Sequence, residues 1–199
     1  MGFVTEGGHP GRAGLRMRDM IGAVVVLVAI IGVVMAFYGG CSFSPGGPTV
    51  DQASAPSADA SGQLARTARS VAFPVRNPAV PDEWRANSAG TSSVGAGASG
   101  DVVVRVGWLT ASGAYLQLSQ SGGDAADVLV KETGQEEAPK ASGSVEVDGV
   151  TWTSYPARRD EPAWVTELDG AVLLITGSPS AAEFRQLAAA TQQATPLAG

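Results

Sequence analysis

The sequence has little of the chemistry on which catalysis and metal binding usually depend. Its 199 residues include one cysteine, Cys41, and one histidine, His9. A single cysteine excludes an intrachain disulfide and a metal site built from several thiolates. Residues 39–199 contain no histidine, although histidine is the commonest metal ligand and the most frequent general base. The composition therefore predicts a protein that is not an enzyme, with no catalytic residue, no metal and no cofactor.

Positive charge is also scarce. The chain has 13 Lys and Arg against 19 Asp and Glu. Three of the basic residues and two of the acidic residues lie in residues 1–38. Residues 39–199 therefore have 10 basic and 17 acidic residues, and a net charge of −7. An acidic domain repels the phosphate backbone of a nucleic acid. We therefore predict no nucleic-acid partner.

One long hydrophobic run stands apart from this composition. Residues 20–38 (MIGAVVVLVAIIGVVMAFY) are nineteen positions without a charge. A helix of this length is about 28 Å long, close to the ~30 Å hydrocarbon thickness of a bilayer. The run predicts a single transmembrane helix, so the membrane is the first partner that the sequence implies.

The charges around this run predict its orientation. Arg12, Arg16 and Arg18 lie just before it, and the next Lys or Arg after it is Arg66. Positive residues remain on the cytoplasmic side of a span. We therefore expect residues 1–19 to form a cytoplasmic tail, and the rest to lie outside the plasma membrane behind an uncleaved signal-anchor.

Cys41 leaves a second way of anchoring open. Gly39 and Gly40 place small residues before it, as in a lipoprotein signal. Tyr38, however, stands where such signals usually carry Leu or another aliphatic residue. The uncleaved anchor is the first prediction, and Cys41 is the candidate lipidation site under the alternative.

The remainder of the chain divides into a linker and one domain. Residues 39–62 are rich in Gly, Pro, Ser and Ala and predict a flexible linker. Residues 63–195 predict an α+β domain with a mainly antiparallel sheet flanked by helices. Its predicted elements are a helix over 63–72 capped by Ser61, an extended segment over 73–88, strands over 102–110 and 115–121, a helix from 124 to about 133, strands over 145–147, 150–155, 164–168 and 171–176, and a helix opened by Ser180 and Glu183.

Two Asp-Gly pairs carry the prediction of an antiparallel sheet. Asp148-Gly149 and Asp169-Gly170 each separate two β-rich runs. Asp-Gly favours the type I′ turn of a tight hairpin, because Gly adopts positive φ freely and Asp tolerates it. Residues 172–175 (VLLI) are apolar on both faces, which is typical of a central strand covered on both sides.

Two patterns in the domain are candidates for ligand binding. Gly95–Gly100 (GAGASG) fits the GxGxxG pattern, but it lies in the low-complexity run 87–100 and precedes a strand, so it predicts a flexible loop. Trp152 and Trp164 flank a charged loop that contains Arg158 and Arg159. These four residues are our candidate surface for a ligand or partner, and core packing of the tryptophans is the alternative.

Three segments carry a resemblance to one family. Arg16–Met20 (RMRDM), Cys41–Pro48 (CSFSPGGP) and Pro81–Ser88 (PDEWRANS) resemble an actinobacterial group of single-pass membrane proteins, domain-of-unknown-function family 4245. The similarity runs from about Arg16 to Thr191 and implies membership without a known activity. The order of the later strands also resembles the PsbP-like fold, an antiparallel sheet between helices.

These observations lead to one functional expectation with two alternatives. We expect a non-enzymatic, membrane-anchored extracytoplasmic module of the cell envelope that binds or scaffolds a protein partner or an envelope ligand. The first alternative is a lipoprotein anchored through Cys41 with the same outer domain. The second is an accessory subunit whose span docks onto another membrane protein.

Overall fold

The computed structural model describes residues 20–31, 33, 57–95 and 101–199. The chain divides into two units, Met1–Thr49 and Val50–Gly199. In the first unit, residues 20–31 and 33 are helical and form α1. Among the helices of the described residues, none has both the length and the hydropathy needed to cross a membrane. The predicted tail 1–19, Cys41 and most of the predicted linker lie outside the described residues, and the predicted span is described only in part.

The second unit has the predicted α+β composition. The described part of this unit contains three helices, seven strands and one short 3-10 turn. The elements are α2 (Ala60–Ala68), β1 (Arg85–Val94), β2 (Asp101–Leu109), β3 (Tyr115–Ser121), α3 (Ala125–Thr133), β4 (Gly143–Val147), β5 (Val150–Pro156), the 3-10 turn (Arg158–Asp160), β6 (Pro162–Leu168), β7 (Ala171–Gly177) and α4 (Ala181–Gln193).

The seven strands form one antiparallel sheet in the order β1-β2-β3-β7-β6-β5-β4. Strands β1–β3 and β4–β7 are therefore two meanders, joined where β3 pairs with β7. Both predicted hairpin turns are confirmed, since φ is 47° and 82° at Asp148 and Gly149 and 53° and 81° at Asp169 and Gly170. Strand β7 is the central strand, as its apolar sequence predicts.

Each face of the sheet has its own hydrophobic core. The first core lies on the side of α2 and α4 and contains all four tryptophans together with Phe184 and Leu187. The second lies on the side of α3, where Val128 and Leu129 meet Val103 and Leu174. The nine residues of α3 cover only part of their face of the sheet, here called the α3 face.

Strand β1 corrects the prediction of a flexible run over residues 87–100. The strand continues to Val94 and pairs with β2 at every position except Asn87. Its Ser, Gly and Ala residues have low strand propensity, so pairing with the strongly apolar β2 decides the structure. Of the GxGxxG pattern, Gly95 ends the strand with φ 85° and residues 96–100 lie outside the described residues.

A β-bulge at Asn87 changes which residues of β1 face α3. Before the bulge, Ala86 pairs with Trp108 on the side of the first core. After it, Ser88 pairs with Gly107 on the α3 face, and the alternation of the strand then carries Val94 into the second core. The bulge therefore places a row of small residues of β1 on the α3 face.

The ends of the domain also differ from the prediction. The cap of α2 is Asp59 rather than Ser61, and its carboxylate accepts a hydrogen bond from the backbone N–H of Gly62 at 2.8 Å. The helix therefore begins inside the predicted linker 39–62. At the other end, the backbone N–H of Leu197 donates to the carbonyl of Val75 at 2.8 Å, which extends the domain beyond residue 195.

A buried arginine joins the segment after α2 to the far end of the chain. The side chain of Arg76 is 5% exposed and forms an ion pair with Asp169. It also donates to the backbone carbonyls of Gln192 and Ala194. The backbone of Arg76 exchanges two hydrogen bonds of 2.8 Å with the side-chain amide of Gln120. The interactions of Arg76 thus connect β3, the turn before β7 and the end of α4.

The start of α4 has the predicted capping box. The hydroxyl of Ser180 accepts from the backbone N–H of Glu183, and the Glu183 carboxylate accepts from the backbone N–H of Ser180 at 2.8 Å. Hydrogen bonds from Thr110, then Ser180 and then Ser112 lower the pKa of Glu183 from 4.5 to about 2. The carboxylate therefore stabilises the fold in its ionised form.

We expect Ser180→Ala to lower the free energy of unfolding by about 1 kcal/mol at neutral pH, because it removes one half of the capping box. Since the pKa of Glu183 is depressed, its contribution is complete above about pH 4.5 and is lost as the pH falls towards 2. Urea unfolding of wild type and variant at several pH values should therefore give a difference that narrows in that range, because the bond from the Ser180 hydroxyl to the Glu183 carboxylate is then lost in the wild type as well. Ser178→Ala is the control, and a difference that stays constant down to pH 2 would contradict the assignment.

Candidate functional site

The part of the α3 face that α3 leaves uncovered is polar. Cross-strand pairs on this face are Ser88 with Gly107, Gly90 with Arg105, and Gln117 with Thr176. Residues directly opposite each other on neighbouring strands share one face of a sheet. Hydroxyl, amide and guanidinium groups from β1, β2, β3 and β7 therefore form a continuous strip across the sheet.

A buried carboxylate organises this strip. The side chain of Glu132, in the last turn of α3, is 1% exposed. Its oxygens accept hydrogen bonds from Nε of Arg105 at 2.7 and 2.8 Å, from the side-chain amide of Gln117 at 2.8 Å and from the hydroxyl of Ser119 at 2.7 Å. A carboxylate enclosed in this way has its hydrogen-bonding capacity filled by the protein itself.

The position of Glu132 on its helix is unfavourable by itself. Negative charge near the C-terminus of a helix opposes the helix dipole, and an unpaired buried carboxylate is costly. The Arg105 guanidinium offsets both of these costs, and the hydrogen bonds that it donates to Glu132 raise the pKa of Arg105 above its ordinary value. The Arg105 side chain is 26% exposed, so the pair lies at the margin of the core.

Tyr115 extends the strip towards β1. Its hydroxyl donates to the side-chain oxygen of Gln117 at 3.1 Å and forms a 3.0 Å hydrogen bond with the hydroxyl of Ser88. The side chain lies over Gly107, where a Cβ atom would overlap both the Tyr115 and the Ser88 hydroxyls. Glycine at position 107 is therefore required for this placement of the tyrosine.

Two cavities adjoin at Tyr115 and Gln117, which line both of them. One, of about 310 Å³, lies towards β1 and is also lined by Ser88, Gly90, Thr91 and Arg105. The other, of about 270 Å³, lies towards the turn after β5 and is also lined by Glu132, Thr176 and residues of that turn. We call the two cavities together the Tyr115 groove.

The turn after β5 forms the wall of the second cavity. Ala157 N–H donates to the carbonyl of Glu161 at 2.8 Å, and Glu161 N–H donates to that of Arg158 at 3.1 Å. Between them, Arg159 and Asp160 have φ values of 58° and 60°. Arg158, Arg159 and Glu161 line the cavity, and both arginines are exposed.

The structure separates the four residues of the predicted surface, and the two arginines remain a prediction. Arg158 and Arg159 do lie on the surface, at one end of the Tyr115 groove. Trp152 and Trp164 are 0% and 6% exposed members of the first core, so their assignment to a binding surface is wrong. The ring of Trp164 lies 5.0 Å from that of Phe184, and the indole N–H of Trp152 donates to the side-chain oxygen of Gln192, so α4 contacts both tryptophans.

Sequence reasoning missed the residues at the centre of the groove. Arg105 interrupts the apolar run VVVRVGW of β2, and this is the one signal that was available. A charge within an otherwise buried strand suggests a buried partner. The sequence does not identify this partner, because Glu132 lies 27 positions later on a short helix.

The groove presents several polar and charged side chains that can contact a ligand. It offers hydroxyl and amide groups at Tyr115, Gln117 and Ser88, and guanidinium groups at Arg158 and Arg159. The described parts of the chain contain no group of three or more His, Cys, Asp or Glu that could hold a metal ion. Among the predicted site residues, Cys41 lies outside the described residues.

The fold and the groove define a small α+β domain with one polar, half-covered sheet face. The chain belongs to the family described as protein of unknown function (DUF4245), whose model matches residues 12–191. This confirms the family resemblance. The chain matches no curated protein and no solved structure. The actinobacterial, single-pass and PsbP-like expectations therefore stay predictions.

We expect Glu132→Gln to lower the free energy of unfolding by about 2–4 kcal/mol, because it leaves the Arg105 charge without its partner at the margin of the core. Urea unfolding of residues 50–199, which contain both cores, measures this change. Glu137→Gln, at an exposed position in the following loop, should stay within about 0.5 kcal/mol of wild type. Equal effects of the two substitutions would show that the ion pair does not organise the strip.

Proposed function

We propose that this protein is a membrane-anchored extracytoplasmic module of the cell envelope that binds a ligand in the Tyr115 groove without transforming it. The observation that carries the proposal is that Tyr115 and Gln117 line both cavities, while Gln117 is fixed by the buried carboxylate of Glu132. A binding surface that is already ordered loses less conformational entropy when a ligand arrives. Regular strands also position such groups more rigidly than loops do.

Binding without chemistry is favoured by the state of Glu132. A general base needs a free oxygen that can accept a proton from the substrate. The oxygens of Glu132 already accept hydrogen bonds from Arg105, Gln117 and Ser119. Taking up a proton would break this network, so its geometry suits a structural carboxylate.

The membrane anchor is supported by the sequence around residues 20–38. This run is uncharged, follows three arginines and is helical over residues 20–31. The same run supports the accessory-subunit alternative, in which the helix contacts another membrane protein. Cys41 supports the lipoprotein alternative, in which the same domain is held by a lipid.

A binding test compares two tyrosines on the α3 face. Tyr115→Phe removes the hydroxyl that bonds to Gln117 and Ser88, and we expect it to weaken ligand binding about tenfold. Tyr155→Phe is the matched control, because Tyr155 packs against the second core and lines neither cavity. The measurement is calorimetric titration of the full chain in detergent with a panel of neutral and acidic oligosaccharides and short peptides.

Three outcomes of this test would contradict the proposal. If no probe binds, or if Tyr155→Phe weakens binding as much as Tyr115→Phe, the groove is not the binding site. If any probe is converted to a product, the protein acts as an enzyme. Binding that depends on Tyr115 and leaves the probe unchanged would support the proposed function.

The anchor can be tested through Cys41, because it is the only cysteine of the chain. We expect a membrane-impermeant maleimide to label wild-type protein in intact cells, since Cys41 follows the predicted span on the outer side. A variant with Cys41→Ser and Thr5→Cys should be labelled only after lysis. The reverse pattern would contradict the orientation, and an intact mass showing a diacylglyceryl group on an N-terminal Cys41 would replace the anchor by the lipoprotein alternative.

A further inference from the structure

We infer that the Tyr115 groove takes a polyhydroxylated ligand that carries a carboxylate or phosphate group, and that Arg158 and Arg159 bind this anionic group. The inference rests on the proposed function and specifies the chemical class of its ligand. It concerns the cavity of about 270 Å³, where both arginines line the wall together with Tyr115 and Gln117.

The charges around this cavity favour an anion. It is lined by two arginines, Arg158 and Arg159, and two glutamates, Glu132 and Glu161. The charge of Glu132 is already matched by Arg105, which leaves two positive groups against Glu161. The 39–199 portion of the chain has a net charge of −7, so this local excess of positive charge runs against the composition of the domain.

Arg158 is held in place by the end of α3. Its guanidinium donates to the carbonyl of Gly134 at 3.4 Å. The same guanidinium lies so close to Gly134 that a Cβ atom at this position would overlap it. Gly134 also has a positive φ of 62°, so glycine both ends the helix and admits the arginine.

Arg159 is held by its backbone, and its charge has no partner within the part of the chain that the structure describes. Among the described residues it forms no hydrogen bond and no ion pair through its side chain. Its left-handed backbone, and that of Asp160 after it, is unfavourable for residues that carry a Cβ. Strained residues of this kind persist where the surroundings impose them, and they concentrate at ligand-binding sites.

The rest of the groove suits the hydroxyl groups of the ligand. The cavity of about 310 Å³ is lined by Ser88, Gly90 and Thr91 of β1, and Tyr115 lies between the two cavities. Each cavity alone is near the lower limit of about 300 Å³ for small-molecule sites. Because the two cavities adjoin at Tyr115, we expect them together to accommodate a ligand of about two sugar rings.

The test titrates the full chain in detergent with four probes: digalacturonate, cellobiose, glucose 1-phosphate and inorganic phosphate. We expect Arg159→Gln to weaken the binding of digalacturonate or glucose 1-phosphate about tenfold and to leave cellobiose unchanged, because only the acidic probes need the guanidinium. Whichever acidic probe depends on Arg159 identifies the anionic group as a carboxylate or a phosphate. Arg185→Gln, on the exposed side of α4, is the matched control and should change no affinity.

A second variant separates binding from the structure of the turn. Arg159→Gly relieves the left-handed strain, so we expect it to raise the midpoint of thermal unfolding while weakening the acidic probe as Arg159→Gln does. A turn with a purely structural role would gain stability without any loss of binding, and that result would overturn the inference.

The outcomes distinguish the inference from the proposed function. Suppose that cellobiose and the acidic probes bind the wild type equally well, and that Tyr115→Phe weakens their binding but Arg159→Gln does not. The ligand then needs no anionic group, so the inference is refuted, while the proposed binding function of the groove is supported. Binding of inorganic phosphate alone, independent of Arg159, would also refute the inference. If no probe binds in a manner that depends on Tyr115, the proposed function and the inference fall together.

Discussion

The pairing of β3 with β7 is the constraint on which the rest of the domain depends. It joins two meanders whose own hairpins are local, across about 55 positions of sequence. On one face of this seam Leu118 lies beside Ile175 in the first core, and on the other Gln117 lies beside Thr176 in the floor of the groove. Closing the loop between such distant strands is entropically unfavourable, so apolar burial on both faces of β7 must offset it. The groove thus lies on the part of the sheet that forms through long-range contacts.

The Arg105–Glu132 pair explains how a polar strip can persist beside a hydrophobic core. Replacing such a pair by apolar residues is often neutral or stabilising, so its presence is weak evidence for a gain in stability. Its consequence here is positional, since the carboxylate directs the amide of Gln117, and Gln117 directs the Tyr115 hydroxyl. Arg76 has a comparable role at the other face, where it joins segments distant in sequence.

Local signals in the sequence predict most of the fold, because hairpin turns and helix caps depend on neighbouring residues. The two Asp-Gly turns, the caps at Asp124 and Ser180 and the central strand were all predictable. Strand β1 was not, because its weak propensity is overridden by pairing with β2. The residues at the centre of the groove were not predictable either, because their contacts also depend on segments that are distant in sequence. Glu132 and Arg105 are adjacent only after the sheet has formed, whereas Arg158 was visible as part of a charged loop.

The bulge at Asn87 has a consequence for how this family can vary. Side chains alternate between the faces of a strand, so a change of one position in length exchanges the two faces. Deleting Asn87 would leave Ser88 opposite Gly107 in a regular ladder, whereas deleting Ala89 would bring Thr91 and Ser93 to the face that now carries Gly90 and Ser92, and would turn Val94 out of the second core. Insertions and deletions before residue 85 or beyond residue 95 lie outside the strand, so they do not change which side chains face each side of the sheet. Between the bulge and Val94 the number of residues in β1 can therefore change only in steps of two, whereas the bulged residue itself can be lost without exchanging the two faces.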